Sequence, residues 1–264
     1  MKRWIPFLKS DPLVAVVRLT GAIAGGPRGL NDKTAAPLLE KAFARGKPDA
    51  VALVINSPGG SPVQSSLLGA RIRRLSEEKE VPVFAFVEDV AASGGYWIAA
   101  AADEIWVDAT SVVGSIGVIS AGFGLHELIG RYGIERRVYT AGTSKSMNDP
   151  FRPEKKEDVE RIKVILEQIH VSFKDHVSAR RAGKLSEDKD LFTGEIWVGA
   201  KAIDVGLADG VGHLVPTMKE RFGDKVQFRV YGPRRSPFAA FGMRLVSDLS
   251  HQIEERAAFA RFGL

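Results

Sequence analysis

Three short stretches of this chain combine hydroxyl, amine and glycine residues in a way that can support acyl chemistry. In AASGG, Ser93 follows two alanines and precedes Gly94 and Gly95. The apolar run before it, VPVFAFV (81–87), reads as a buried strand, and residues 93–102 read as a small-residue helix. A helix start leaves N–H groups free and partly positive, so a serine there can meet a carbonyl group. The same position suits an N-cap, the usual duty of serine at a helix start. AASGG also lacks the G-x-S-x-G spacing of the hydrolase elbow. In INSPGG (55–60) a second buried strand runs into two glycines, which can bring backbone N–H groups close to a ligand or simply make a turn. The N–H groups of Gly60 and Gly94 can together form an oxyanion hole.

A serine nucleophile needs a base. His126 is the histidine closest to Ser93 in sequence, but it stands beside Glu127 on a short helical stretch, where a surface role is expected. Lys145 is the alternative. It lies among small and hydroxyl residues in AGTSKSMND (141–149), with no carboxylate before Asp149. A loop lysine is ordinarily a solvated charge. To act as a base it must lose its proton, and bringing a pKa of ~10.4 near 7 takes about 4–5 kcal/mol against the ammonium form, which burial can supply. The absence of cysteine excludes disulfides, thiolate metal sites and a Cys nucleophile. The five histidines are scattered without the i,i+4 pairing of a zinc site, so neither a metal nor another cofactor is expected.

The elements that must hold these residues alternate. Strands are expected at 13–19, 50–56, 81–87, 104–108 and 135–140. Helices are expected at 34–46, 65–78, 93–102, 124–133 and 153–181, the last with Val159, Ile162, Ile165, Ile169, Phe173 and Val177 on one stripe. Repeated β–α–β units predict an α/β fold with largely parallel strands. The breaker YGPRRSP divides a main domain, 1–232, from a C-terminal extension, 233–264. In the extension, Phe238, Phe241, Leu245, Leu249 and Ile253 predict an amphipathic helix over about 236–262, whose apolar stripe points first to a neighbouring subunit.

The net charge of +5 comes from arginines and lysines interspersed with acids, as in RIRRLSEEKE, which describes solvated helix faces and not a nucleic-acid groove. The N-terminal residues show no apolar signal-peptide core, and no window is long enough to span a bilayer. The expected location is therefore cytoplasmic, with at most peripheral membrane contact.

Taken in order, INSPGG, AASGGYWIA, GSIGV, AGTSKSMNDPF and FTGEIWVGAKAIDVGLADGVG resemble the signal peptide peptidase A family across about residues 13–215. Members are serine–lysine proteases of the Clp protease/crotonase superfamily. The resemblance implies a spiral of β-α-β units, with Ser93 as nucleophile and Lys145 as general base. It makes Ser115 the hydroxyl that holds the lysine, and Gly60 and Gly94 the oxyanion donors. It implies short, unfolded, apolar peptides such as signal-peptide remnants as substrates, and no cofactor. Many members carry a membrane anchor and some are double-length. A single-length chain is expected to form a homo-oligomeric ring or dome whose subunits complete one another's sites. A crotonase-type acyl-CoA enzyme would need carboxylates in the site, and a silent binding scaffold would lack the nucleophile or the base.

Overall fold

A computed structural model describes residues 11–142, 144–232 and 255–264 of the chain. The β-branched and apolar runs become strands β1 (Leu13–Thr20), β2 (Ala50–Ser57) and β3 (Val83–Ala92). Helices α1 (Asp32–Ala44), α2 (Pro62–Lys79) and α3 (Gly94–Ala100) follow them in turn. Asn31 caps α1 by accepting from Thr34 N–H while Thr34 Oγ1 accepts from Asn31 N–H, a reciprocal capping box. Next come β4 (Glu104–Val107), β5 (Val112–Gly114), α4 (His126–Arg131) and α5 (Lys156–Arg180). The last described elements are β6 (Ile196–Val198), α6 (Ala200–Asp204), β7 (Gly210–Val211), α7 (Leu214–Phe222) and β8 (Gln227–Tyr231).

The strands form one sheet in the order β6-β5-β3-β2-β1-β8, with β4 and β7 branching from β3. All pairs are parallel except β5 with β6. The long strand β3 makes the branch possible. Its first half, Phe84–Val87, pairs with β4, and its last three residues, Val90–Ala92, pair with β5. Between the halves the register with β2 shifts, from Ile55↔Val87 to Ser57↔Ala91, as a bulge that turns the strand. On one face Val14, Val16, Ala52, Val54, Phe84 and Phe86 pack with Met218 of α7. Alternate residues Val17, Leu53, Ile55 and Ala85 are equally buried on the other face, so the strands read as unbroken apolar runs.

The chain divides into two compact units. One comprises residues up to Ile116 and from Lys174 onward, and it contains the whole sheet. Within it the buried Arg181 guanidinium donates to Gly206 O at 2.7 and 2.9 Å and to Asp209 Oδ2 at 2.6 Å. Burial alone would push Asp209 up, but bonds from Arg181, Lys184 and the Ile105 N–H hold its carboxyl below the ordinary range. This cluster ties the end of α5 to the GLADG turn that leads into β7.

The other unit is Gly117–Phe173, with α4 and most of α5. Leu125 N–H donates to Pro150 O at 2.6 Å, and Arg136 pairs with Asp149 at 3.3 Å while lying over the Phe151 ring. Residues 135–140, expected as a strand, have no regular structure. A strand exists only by pairing, and among the described residues no strand pairs with this charged, largely exposed segment. Phe173 is the only buried residue among the described residues of this unit.

Most of the expected C-terminal helix, 233–254, lies outside the described residues. Residues 255–260 are helical, and Phe259 and Phe262 pack on Val90, Ala92 and Val112 of the sheet-bearing unit.

Replacing Arg181 with Met is expected to lower stability by about 2 kcal/mol, because Gly206 O loses both its donors and the half-buried Asp209 keeps only Lys184 and the Ile105 N–H. A urea midpoint unchanged from the parent would show that the Arg181–Asp209 pair contributes nothing.

Candidate active site

Ser93 closes β3 and opens α3 with φ 51° and ψ −121°. A residue with a Cβ rarely adopts this conformation, which costs of order 1–3 kcal/mol. The fold provides its own control. Gly199 makes the same strand-to-helix turn between β6 and α6 at φ 48° and ψ −119°. There glycine takes the turn without strain; at Ser93 a side chain is kept in spite of it. The hydroxyl is not kept for capping, because Ser93 makes no side-chain cap hydrogen bond to α3. Its backbone is held instead: Ser93 N–H donates to Gly114 O at 2.8 Å, and Ser93 O accepts from Trp97 N–H at 3.0 Å.

Close packing of backbone brings INSPGG against this turn. A Cβ on Gly59 would lie 2.7 Å from Ala92 O, 2.8 Å from Gly94 N and 2.8 Å from Ser93 Cβ. A Cβ on Gly95 would strike Ser57 O, and one on Gly94 would strike Ser65 Oγ. Gly60 is bridged to Ile23, with Ile23 N–H donating to Gly59 O and Ser61 N–H to Ile23 O. Gly60 and Gly94 therefore flank one junction beside Ser93, Gly60 exposed and Gly94 buried. Ser115 joins them through register: Ala92 pairs with Gly114, so Ser93 and Ser115 each follow directly on a paired residue. Ser115 is itself at φ 50°, with its N–H donating to Glu195 O at 2.7 Å. The structure thus brings Ser93, Gly94, Gly60 and Ser115 to the carboxyl ends of β2, β3 and β5. Ligands in parallel α/β sheets bind at such ends.

Lys145 belongs to the Gly117–Phe173 unit, where it is exposed. The burial expected of a lysine base is not found within this chain. Its neighbours are engaged: Ser144 Oγ accepts from Arg161, and Ser146 Oγ accepts from Arg152 at 3.4 Å. Asp149 is committed to Arg136 and to the Phe151 N–H. No ion pair is formed by Lys145 among the described residues. His126, the alternative base, is half-buried at the start of α4 in the same unit.

Several contributors were not legible as site residues. Gly59 was hidden in the PGG doublet, where only Gly60 attracted a role. The supports of α3 are distant in sequence. His176 stacks on Trp97 at 5.0 Å and donates from Nε2 to Trp97 O at 2.9 Å. Arg180, one turn later, donates to Ala100 O and Ala102 O, and Arg73 donates to Ala101 O. These cations occupy the carbonyl end of α3, where positive charge is favourable. Among the described residues no group of acidic, histidine or cysteine side chains forms a metal site. No helix among them is long and apolar enough to cross a membrane.

The profile of peptidase family S49 matches residues 76–222, a stretch containing Ser93, Gly94, Ser115 and Lys145. The chain belongs to peptidase family S49. Its relatives include "Serine protease SPPA, chloroplastic" of Arabidopsis thaliana, 31% identical over 76% of this chain and 31% of that protein. "Protease 4" of Haemophilus influenzae is 31% identical over 75% of this chain and 32% of its own length. A longer protein of Brucella melitensis, named "Na(+)/H(+) antiporter NhaA", is 47% identical over 100% of this chain and 39% of its own length. The chain thus spans between about a third and two-fifths of each of these relatives. Within S49 the signal peptide peptidase A proteins are serine proteases, and the parallel α/β sheet seen here is the fold expected for them.

Two outcomes follow from this geometry. Gly59→Ala is expected to cost about 3 kcal/mol of stability and to distort the Ser93 turn, since its Cβ meets two backbone atoms and the Ser93 Cβ at a left-handed φ. Unaltered thermal unfolding would refute the contact. His176 is held below the ordinary histidine range by burial, with the bond to Trp97 O opposing this and Arg180 reinforcing it. The unfolded chain therefore takes up a proton near pH 6.5 that the folded chain resists. Stability should be full above about pH 7 and fall as pH drops toward 5, and His176→Gln should flatten that slope in urea titrations.

Proposed function

We propose that this chain hydrolyses peptide bonds through an acyl-enzyme on Ser93, with Lys145 as general base. The observation that carries the reading is the strained Ser93, whose hydroxyl does not cap α3 although Gly199 makes the same turn without a side chain. A neutral Lys145 amine takes the Ser93 Oγ proton as Oγ adds to the substrate carbonyl carbon. The N–H groups of Gly60 and Gly94 donate to the resulting oxyanion, and Ser115 Oγ holds the amine. The lysine then returns the proton to the leaving amine. Water, deprotonated by the same lysine, attacks the ester and frees Ser93.

A second copy of the chain completes the site in this reading. Two observations support it. Lys145 is exposed, whereas an amine base needs a water-poor setting. The unit that carries it also leaves large apolar side chains uncovered, among them Phe123 at 85%, Tyr132 at 76% and Tyr139 at 91% exposure. Exposed aromatic side chains of this size support burial against a second copy. The substrates proposed are short, unfolded, apolar peptides, signal-peptide remnants among them. The proposed location is the cytoplasm beside the membrane, which fits the antiporter name of the longer Brucella relative. Recovery in the membrane fraction after a high-salt wash would contradict peripheral contact.

Ser93→Ala and Lys145→Ala should each reduce hydrolysis of an apolar reporter peptide by roughly 10⁴-fold, and the double variant should be no worse. Lys145→Arg should be equally inactive, since a guanidinium is not deprotonated in proteins. Parent activity should rise with pH above neutrality; a flat profile, or turnover by the Arg variant, would point to another base. If copies share sites, mixing the inactive Ser93→Ala and Lys145→Ala proteins should restore part of the activity. No recovery on mixing would confine each site to one chain.

A further inference from the structure

The loop that leads into β6 ends beside the Ser93 turn. Ile196 opens β6 opposite Gly114 of β5, and because these two strands are antiparallel, the start of β6 lies at the carboxyl end of β5. Glu195, the residue before it, touches the site through its backbone. Its carbonyl accepts from Ser115 N–H at 2.7 Å, and a Cβ on Gly114 would lie 3.0 Å from the same oxygen. Gly114 O accepts from Ser93 N–H at 2.8 Å. Ser93 and Glu195 therefore stand on either side of Gly114. Since β3, β5 and β6 are consecutive in the sheet, two strand spacings separate them, about 10 Å in all.

The Glu195 side chain is exposed, and among the described residues it forms no ion pair or hydrogen bond. Acids on the neighbouring strands are committed: Glu88 to Arg18, Asp89 to the Asn56 amide and Asp108 to His213. Lys189, the lysine of the loop before β6, lies over the Trp197 ring at 5.0 Å from its centroid. A free carboxylate is of no help to an amine base, because nearby negative charge favours the ammonium form. Its use in the proposed chemistry lies with a different cation, one carried by the substrate. An extended peptide advances ~3.3 Å per residue, so a side chain two or three residues from the cleaved bond comes within reach of Glu195.

We infer that Glu195 is a specificity-determining residue, selecting peptides that carry a lysine or arginine two or three residues from the bond that is cleaved. The inference rests on the reading of Ser93 as nucleophile, which fixes where that bond lies. The preferred substrate is then an apolar segment with a cationic residue at its border, not an apolar segment alone. The pair formed by Glu195 and the substrate cation is open to water, so it is weak singly and is screened by salt. Attraction of a cation and repulsion of an anion act together, which makes the discrimination between a lysine and a glutamate at that position about tenfold.

The experiment compares N-acetylated reporter peptides of Leu, Phe and Ala residues in which one position carries Lys or Glu. That position is moved through the second and third residues on either side of the cleaved bond, which mass spectrometry of the products locates. For the full chain, kcat/KM should favour Lys over Glu about tenfold at one of these positions, and the ratio should shrink in 0.5 M salt, the concentration of the assay. Glu195→Gln should bring the ratio close to one, and Glu195→Lys should invert it. A ratio is not moved by a general loss of activity, so a purely structural effect of either variant leaves it as in the parent, and that result overturns the inference. A pH–rate profile shifted by Glu195→Gln with the ratio intact also overturns it, since the carboxylate would then act on the base. The same Lys and Glu peptides, labelled and titrated by anisotropy into Ser93→Ala with and without Glu195→Gln, read the preference without turnover. No preference for Lys in that binding overturns the role of Glu195, whereas a preference without hydrolysis by the parent counts against the Ser93 reading alone.

Discussion

The backbone at Ser93 is bent into a conformation that serine does not favour, and one hydrogen bond with one missing side chain keeps it there. The hydrogen bond is Ser93 N–H to Gly114 O, which extends the β3–β5 ladder one residue beyond Ala92. The missing side chain is that of Gly59, whose open face accepts the Ser93 Cβ and the Gly94 amide. The strain of about 1–3 kcal/mol is small against the burial of β3 and α3, every residue of α3 being buried. The sheet and the helix over-determine the turn between them, and the hydroxyl is presented as a result.

Much else in the sheet-bearing unit serves that turn. The bulge in β3 frees its last three residues from β4 and gives them to β5, which supplies Gly114. The Ile23–Gly60 bridge fixes the INSPGG loop from the β1 side. Arg73, Arg180 and His176 hold the far end of α3, so that its first residue cannot drift. These supports come from residues between 23 and 180 in sequence, and the site forms only when most of the sheet has paired.

The parallel sheet was legible because its strands are buried on both faces and so write continuous apolar runs; β1, β2 and β3 each appear within a few residues of their expected bounds. The strand expected over 135–140 failed because a β-branched and aromatic pattern says nothing about whether a partner strand exists. Ser93 stood out as a serine between alanines and glycines, but its distinguishing property, a left-handed φ without a capping bond, is conformational. Composition alone reads the same residue as an N-cap. Lys145 was legible only through the order of the motifs. Its exposure in the chain is a property of surroundings that its own loop does not encode. The tail was read from an amphipathic stripe, which shows that a face needs cover without saying which surface covers it; the described end covers the strands beside Ser93.

The central claim is that the strained hydroxyl of Ser93 is the group that takes the acyl chain. It is tested most directly by treating the folded protein with a serine-reactive acylating probe and mapping the adduct by mass spectrometry. The account predicts one adduct, on the peptide containing Ser93, that fails to form after urea unfolding because the turn and its amide donors are lost. Acylation at Ser61 or Ser115 in preference to Ser93, or equal labelling of Ser93 in the unfolded chain, would contradict it.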